Sequence, residues 1–107
     1  MKRTDIIQSL IDKVGAENYL EVGVSAGENF RDIKCKNKVG VDPEPSTPAT
    51  IHTDSDSFFK DNKRTFDVIF IDGLHHADQV YRDINNSLAI LNDKGFIVCH
   101  DMNPQLE

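Results

Sequence analysis

The chain has no tryptophan and only two cysteines, Cys35 and Cys99. Two thiols so far apart match no metal-binding spacing and build no disulfide framework, so reduced thiols in a cytoplasmic protein are the expectation. Long apolar runs are missing as well: the longest cover four residues, as from Val68 to Ile71. A membrane-spanning helix needs about 20. The basic start Met1-Lys2-Arg3 leads into an amphipathic pattern, not the apolar core of a signal peptide. Positive charge is scarce: 12 Lys and Arg stand against 18 Asp and Glu, a formal charge of −6. Neither a phosphate-tracking groove for nucleic acid nor a basic membrane-facing surface fits that balance.

What remains is a chain of 107 residues, 38% apolar and 28% charged, which fits one folded domain spanning 1–107. Ile6, Ile7, Leu10, Ile11 and Val14 have helical spacing, with Thr4 placed as N-cap and Gly15 as stop. Tyr19 to Val24 is short and β-rich, followed by the small-residue turn Ser25-Ala26-Gly27 and a short helix from Glu28 to about Ile33. Lys38 to Asp42 reads as a second strand closed by Pro43 and Pro45. Ile51-His52-Thr53 reads as a short third strand, and Asp54 to Ser57 offers caps for a helix through Phe58 and Phe59. The four apolar residues of Asp67 to Asp72 mark a fourth strand covered on both faces. Ala77, Val80, Ile84, Leu88 and Leu91 form one apolar stripe of a helix. Gly95 to Asp101 is a fifth strand. Strands alternating with helices imply βαβ units and an α/β fold with a parallel sheet.

In open α/β sheets, ligands bind beyond the carboxyl ends of the strands. Polar residues stand at those ends repeatedly: Glu21 to Gly27, Asp42, Asp54 with Ser55, Asp72, and His100 with Asp101. One acidic strand end is an ordinary solvated terminus, but five strands each ending in an acid or a glycine turn point to a shared crevice. A dinucleotide fingerprint needs G-x-G-x-x-G. With its second glycine at Gly23, the first position is Glu21 and the third Ala26. A carboxylate there repels a pyrophosphate and suits a cationic amino group. Asp42 fits a ribose, whose two hydroxyls a carboxylate can accept, and equally an Asp-Pro turn.

The ordered set Tyr19-Leu-Glu-Val-Gly-Val-Ser-Ala-Gly27, Val39-Gly-Val-Asp42, Thr53-Asp-Ser55, Phe70-Ile-Asp-Gly-Leu-His75 and Lys94-Gly-Phe-Ile-Val-Cys-His-Asp101 resembles the class I S-adenosylmethionine-dependent methyltransferases. It is most similar to the branch with an FIDG-x-H fourth strand and an HD fifth strand, which includes small-molecule and sugar O-methyltransferases. The resemblance implies a Rossmann-like three-layer sandwich with a mainly parallel five-stranded sheet in the order 3-2-1-4-5. It implies that Glu21, Gly23, Ser25 and Gly27 line the methionine part of S-adenosylmethionine, that Asp42 holds the ribose, that Asp54 and Ser55 lie near the adenine edge, and that Asp72 lies beside the sulfonium. In metal-using relatives, acids ending the fourth and fifth strands bind Mg²⁺, and Asp72 and Asp101 match those places. His75 would then take the acceptor's proton, since an imidazole titrates near neutral pH. The family's second acid is His100 here, and its aromatic after the histidine is Ala77.

The family sheet has seven strands, and the helix and antiparallel hairpin after the fifth are missing from this chain, so the fifth strand is expected to show an open edge. Three accounts compete: a fragment of a longer protein, a minimal version that forms a homodimer through that edge, or a module that binds S-adenosylmethionine without turnover. The expected activity is methyl transfer to the oxygen of a small molecule or sugar. An NAD-dependent oxidoreductase is the rival from another class, with Glu21 against it.

Overall fold

The computed structural model describes residues 3–72 and 77–100. In chain order the elements are α1 (Arg3–Val14), β1 (Asn18–Val22), α2 (Glu28–Asp32), β2 (Asn37–Val41), α3 (Ser55–Asp61), β3 (Phe66–Ile71), α4 (Ala77–Ala89) and β4 (Leu91–Cys99). The four strands form one parallel sheet in the order β2-β1-β3-β4. The strand expected fourth is therefore β3, and the one expected fifth is β4.

The alternation of strand side chains divides the core in two. Tyr19 of β1 and Val68 and Phe70 of β3 pack with Ile7, Ile11 and Phe30 from α1 and α2. Leu20, Val22, Ile69 and Ile71 face the other way, against Phe58 of α3 and the partly buried Ile84 of α4. This is the expected three-layer sandwich. The same period of two sends Glu21 of β1, and Asp72 just beyond β3, toward the α1/α2 side. The register pairs Glu21 with Phe70 and Val22 with Ile71, so both acids emerge at the carboxyl ends of neighbouring strands.

Among the described residues four strands stand where five were expected. The segment at Ile51 to Thr53 makes a single bridge, Val41 to Ile51. The amides of Thr50 and Ile51 both bond the Gly40 carbonyl, and the Asp42 amide reaches the Ile51 carbonyl. The next amide on that side of β2 is Glu44's, and it bonds Asp42 Oδ1 at 2.9 Å instead, so the ladder is not extended. His52 and Thr53 then lead to Asp54, which caps α3. The relative placement survives, since Ile51 lies on the outer side of β2, as the order 3-2-1-4-5 requires.

Thr4 is not a cap: α1 begins at Arg3, and the Thr4 hydroxyl donates to Asn29 Oδ1 at 2.6 Å. The stripe expected along α4 also differs. The helix ends at Ala89, and Leu91 belongs to β4, because the Ile90 carbonyl is taken by the Phe66 amide. The residues α4 buries completely are Asp83 and Ser87, whereas Leu88 is 58% exposed and Tyr81 68% exposed. The helix is turned by polar bonds to α3: Ser55 Oγ donates to Asp83 Oδ1 at 2.7 Å. Among the described residues β4 pairs only with β3, so it shows the expected open edge.

Candidate functional site

The turn between β1 and α2 is built from left-handed backbone. Gly23, Ser25 and Gly27 have φ of 90°, 53° and 84°. Serine carries a steric cost in that region, roughly 1–2 kcal/mol. Asp42 offsets it, since its Oδ2 accepts the Ser25 amide at 2.9 Å while Oδ1 accepts the Glu44 amide at 2.9 Å. The Gly23 amide bonds the Val41 carbonyl at 2.8 Å, fixing the start of the turn on β2. Gly27 is left-handed at the N-cap of α2, and a Cβ there would stand 2.1 Å from Pro48 Cγ.

This turn forms one wall of a cleft of about 460 Å³, which Arg3 and Thr4 of α1, Asn29 of α2, Glu21, Phe70 and Asp72 complete. Glu21 is 1% exposed. Its Oε1 accepts the Tyr19 hydroxyl at 2.6 Å and the Asn29 amide nitrogen at 2.8 Å. Burial lifts the Glu21 carboxyl above its ordinary value; the bonds from Tyr19 and Asn29 oppose the rise, the Asp72 charge adds to it and Arg3 works against it. Burial and the Glu21 charge hold the Tyr19 phenol well above its usual range, so it remains a donor. Asp72 is also buried, and its Oδ1 has no hydrogen-bond partner among the described residues. Two buried acids, Glu21 and Asp72, thus share the cleft with the exposed Glu28, and Arg3 is the only basic lining residue among the described residues. That arrangement favours a cation.

A smaller cavity of about 140 Å³ lies on the other side of Gly23, lined by Val22, Val41, Pro43, Asp54, Ser55 and Gln79 among others. Asp54 spends its carboxylate on capping α3, with Oδ1 accepting the Ser57 amide and Oδ2 the Ser57 hydroxyl. Those bonds hold it below its ordinary value. Ser55 is tied to α4: Gln79 Nε2 donates to Ser55 Oγ and to Asp83 Oδ1, at 3.0 and 2.9 Å. Asp42 stands between the two hollows, its neighbour Pro43 lining one and its partner Ser25 the other. A third hollow of about 440 Å³ runs along α3 and the outer side of β2, past Phe58, Asp61 and Arg64, away from the gathered strand ends.

Of the residues expected from sequence, Glu21, Ser25, Gly27 and Asp72 meet in the larger cleft, Gly23, Asp54 and Ser55 in the smaller, and Asp42 between them. His75 and Asp101 lie outside the described residues. Among the described residues no three His, Cys, Asp or Glu side chains gather as a metal site, and Asp72 is the only expected ligand there. Arg3, Asn29, Gln79 and Asp83 were not singled out from sequence. A visible trace existed for one pair: Gln79 and Asp83 are four apart, as polar residues beside an apolar stripe.

A family model described as a methyltransferase domain matches residues 24–102. No curated protein matches the chain. Among solved structures, the N-methyltransferase NodS from Bradyrhizobium japonicum WM9 is 22% identical with a TM-score of 0.73, over 94% of this chain and 66% of that one. The same enzyme in complex with S-adenosyl-l-homocysteine is 20% identical with a TM-score of 0.68, over 90% of this chain and 58% of that one. These likenesses establish a common fold, and the chain spans less than two thirds of either structure.

Proposed function

The chain belongs to the methyltransferase-domain family, and on that footing we propose that it binds S-adenosylmethionine and transfers its methyl group to an oxygen of a small molecule or sugar. The observation that carries this reading is the buried pair Glu21 and Asp72, side by side beneath a left-handed turn at the carboxyl ends of β1 and β3. The ligand would supply an electrophilic methyl on a sulfonium and leave as a neutral thioether. Glu21 and Asp72 would receive the cationic end. Asp42 would take the ribose hydroxyls, since each of its oxygens accepts one amide and keeps a free lone pair. Ser55 and Gln79 would meet the base.

These roles divide binding from catalysis. The positive charge at sulfur fades in the transition state, so carboxylates near it hold the ground state and do not lower the barrier. Acceleration must come from aligning the acceptor with the methyl and sulfur, an in-line displacement in which orientation is worth several kcal/mol. We assign removal of the acceptor's proton to His75. Magnesium, if bound, would be held by Asp72 and Asp101, where a hard cation would position an acceptor hydroxyl and favour its ionised form. The cysteine usage supports a cytoplasmic location, and no described helix is long and apolar enough to cross a membrane. We place a homodimer contact at the open edge of β4.

Calorimetric titration with S-adenosylhomocysteine and with NAD tests the binding, and labelled methyl transfer to oxygen and nitrogen acceptors tests the reaction. Binding of S-adenosylhomocysteine in preference to NAD, with label on oxygen, is expected. Label on nitrogen would correct the acceptor, binding without transfer would make the domain a binding module, and no binding would overturn the reading.

A further inference from the structure

We propose that the outer edge of β2, with the hollow beside it, receives an extended acidic peptide segment of a partner protein as an added strand. In a parallel ladder, alternate residues of a strand bond to opposite neighbours. The Asn37 amide bonds the Glu17 carbonyl and the Val41 carbonyl takes the Gly23 amide. The odd-numbered residues of β2 therefore serve β1, and Lys38 and Gly40 turn their backbone groups outward. Gly40 is satisfied there: its carbonyl takes the Thr50 and Ile51 amides, and its amide meets the Thr50 hydroxyl at 3.2 Å. Beside Lys38 no strand lies among the described residues. A lysine on an edge strand commonly keeps other strands away. Lys38 instead sends its Nζ onto the end of α2, to the Phe30 and Ile33 carbonyls at 2.7 and 3.0 Å. The edge is open at this residue, and the charge that would guard it is engaged elsewhere.

The hollow of about 440 Å³ along this edge sets the chemistry of the occupant. Its apolar surface comes from Val39, Phe58, Phe66 and Ile51, the last 38% exposed. Lys63 and Arg64 line it too; both are exposed, and neither has an ion-pair partner among the described residues. Their turn is held in place, since the Asn62 side chain donates to the Arg64 carbonyl at 2.8 Å and accepts the Arg64 amide at 3.1 Å. A helix end attracts cations on its own account, which explains Lys60 in the last turn of α3 but not Lys63 and Arg64 beyond it. In a chain of charge −6, these three cations outnumber Asp61 and reverse the sign locally. An added strand points every second side chain toward the α3 face, about 7 Å apart. One apolar side chain fills the hollow, and an acid two residues away meets Lys63 or Arg64. Main-chain bonds then supply affinity and the hollow supplies selectivity.

The test is an NMR titration of the full chain with synthetic peptides of seven residues. The first has threonine at odd positions and glutamate, valine and glutamate at even ones; the second has lysine for both glutamates. Two further copies of the first are N-methylated, one on its odd amides and one on its even amides. The glutamate peptide is expected to shift the amide resonances of Lys38 and Arg64 to saturation. The lysine peptide should bind roughly 3- to 30-fold more weakly, the range for two exposed charge pairs. The order should reverse in a protein carrying both Lys63→Glu and Arg64→Glu, whose exposed positions leave the melting temperature near that of wild type. One methylated copy should lose binding and the other keep it, because only one set of amides faces β2. No saturating shift with the glutamate peptide overturns the inference, as does equal affinity for the two peptides. Equal binding of both methylated copies overturns strand addition, and so does a response to 3-phenylpropionate without one to any peptide, which would make the hollow a small-molecule site.

Discussion

Replacing Gly27 by alanine separates two reasons for a glycine in this turn. Its φ of 84° is left-handed, and a Cβ would stand 2.1 Å from Pro48 Cγ and 3.0 Å from Pro48 Cδ. The backbone cost is roughly 1–2 kcal/mol. The contact is far inside van der Waals distance, and the atom it meets belongs to a ring fixed to the backbone, so it cannot swing aside as a lysine tip would. The loop carrying Pro48 has to move, at an overpacking cost of about 1–3 kcal/mol. The total of roughly 2–5 kcal/mol is a large share of the 5–15 kcal/mol typical of a domain. At about 4 °C per kcal/mol it lowers the melting temperature by roughly 8–20 °C. Gly15→Ala is the control: φ there is 64° and nothing lies within 4 Å of an added Cβ, so only the backbone cost applies. Scanning calorimetry of both variants isolates the Pro48 contact as the difference between them. If Gly27→Ala melts no lower than Gly15→Ala, Pro48 does not constrain this position. The glycine would then serve only the approach of a ligand.

Two further substitutions follow from the acids. Glu21→Gln keeps an acceptor for Tyr19 and Asn29 but removes a buried charge whose carboxyl is raised by burial. A raised group stabilises below its unfolded value, here 4.5, and that stabilisation is lost as pH rises through the folded value. Urea melts from pH 4 to 8 should therefore show this decline in wild type and a flatter, higher profile in the variant, with S-adenosylhomocysteine binding weakened roughly 10- to 150-fold; a variant less stable than wild type at neutral pH contradicts the argument. Asp42→Asn can accept only one of the two amides from Ser25 and Glu44, so a loss of about 1–3 kcal/mol in stability should accompany weaker nucleoside binding. A change in binding with an unchanged urea midpoint would show that the brace on Ser25 contributes nothing.

The parts of the fold that were legible in the sequence are those with a period. The run Val68 to Ile71 and the β-rich Tyr19 to Val22 identify β3 and β1, while the register that sets Glu21 level with Phe70, and so Asp72 on the face of Glu21, is fixed by the pairing of the two strands. The glycine turn was legible because left-handed backbone restricts residue choice. What escaped is non-local and polar. The bond from Thr4 to Asn29 spans 25 residues and that from Ser55 to Asp83 spans 28, and neither leaves a periodic trace. The Ser55 bond turns α4 so that its polar Asp83 is buried and its apolar Leu88 faces outward, the reverse of what a hydrophobic stripe implies. The third strand was misread because Ile51-His52-Thr53 has the composition of a strand, while its pairing stops at one bridge because the Glu44 amide turns to the Asp42 side chain.

Two aspartates flank the apolar centre of β3. At its start, Asp67 accepts the Asn92 side chain at 2.8 Å and the amides of Glu17 and Asn18 at 3.0 Å each. Burial pushes its carboxyl up, but these donors outweigh it and hold Asp67 below its ordinary value. It therefore stabilises above the unfolded value of 3.8, a contribution lost as pH falls through the folded one. Just past the other end, Asp72 is buried with Oδ1 lacking any partner among the described residues, beside a second carboxylate that its own charge pushes up. The same type of side chain is satisfied at the amino end of β3 and, among the described residues, keeps an open oxygen just past the carboxyl end. A sequence selected for stability alone would satisfy both, since a buried acceptor without a donor costs about 1–3 kcal/mol. Asp72 keeps that cost within the cleft, and a cationic ligand is the kind of molecule whose arrival removes it.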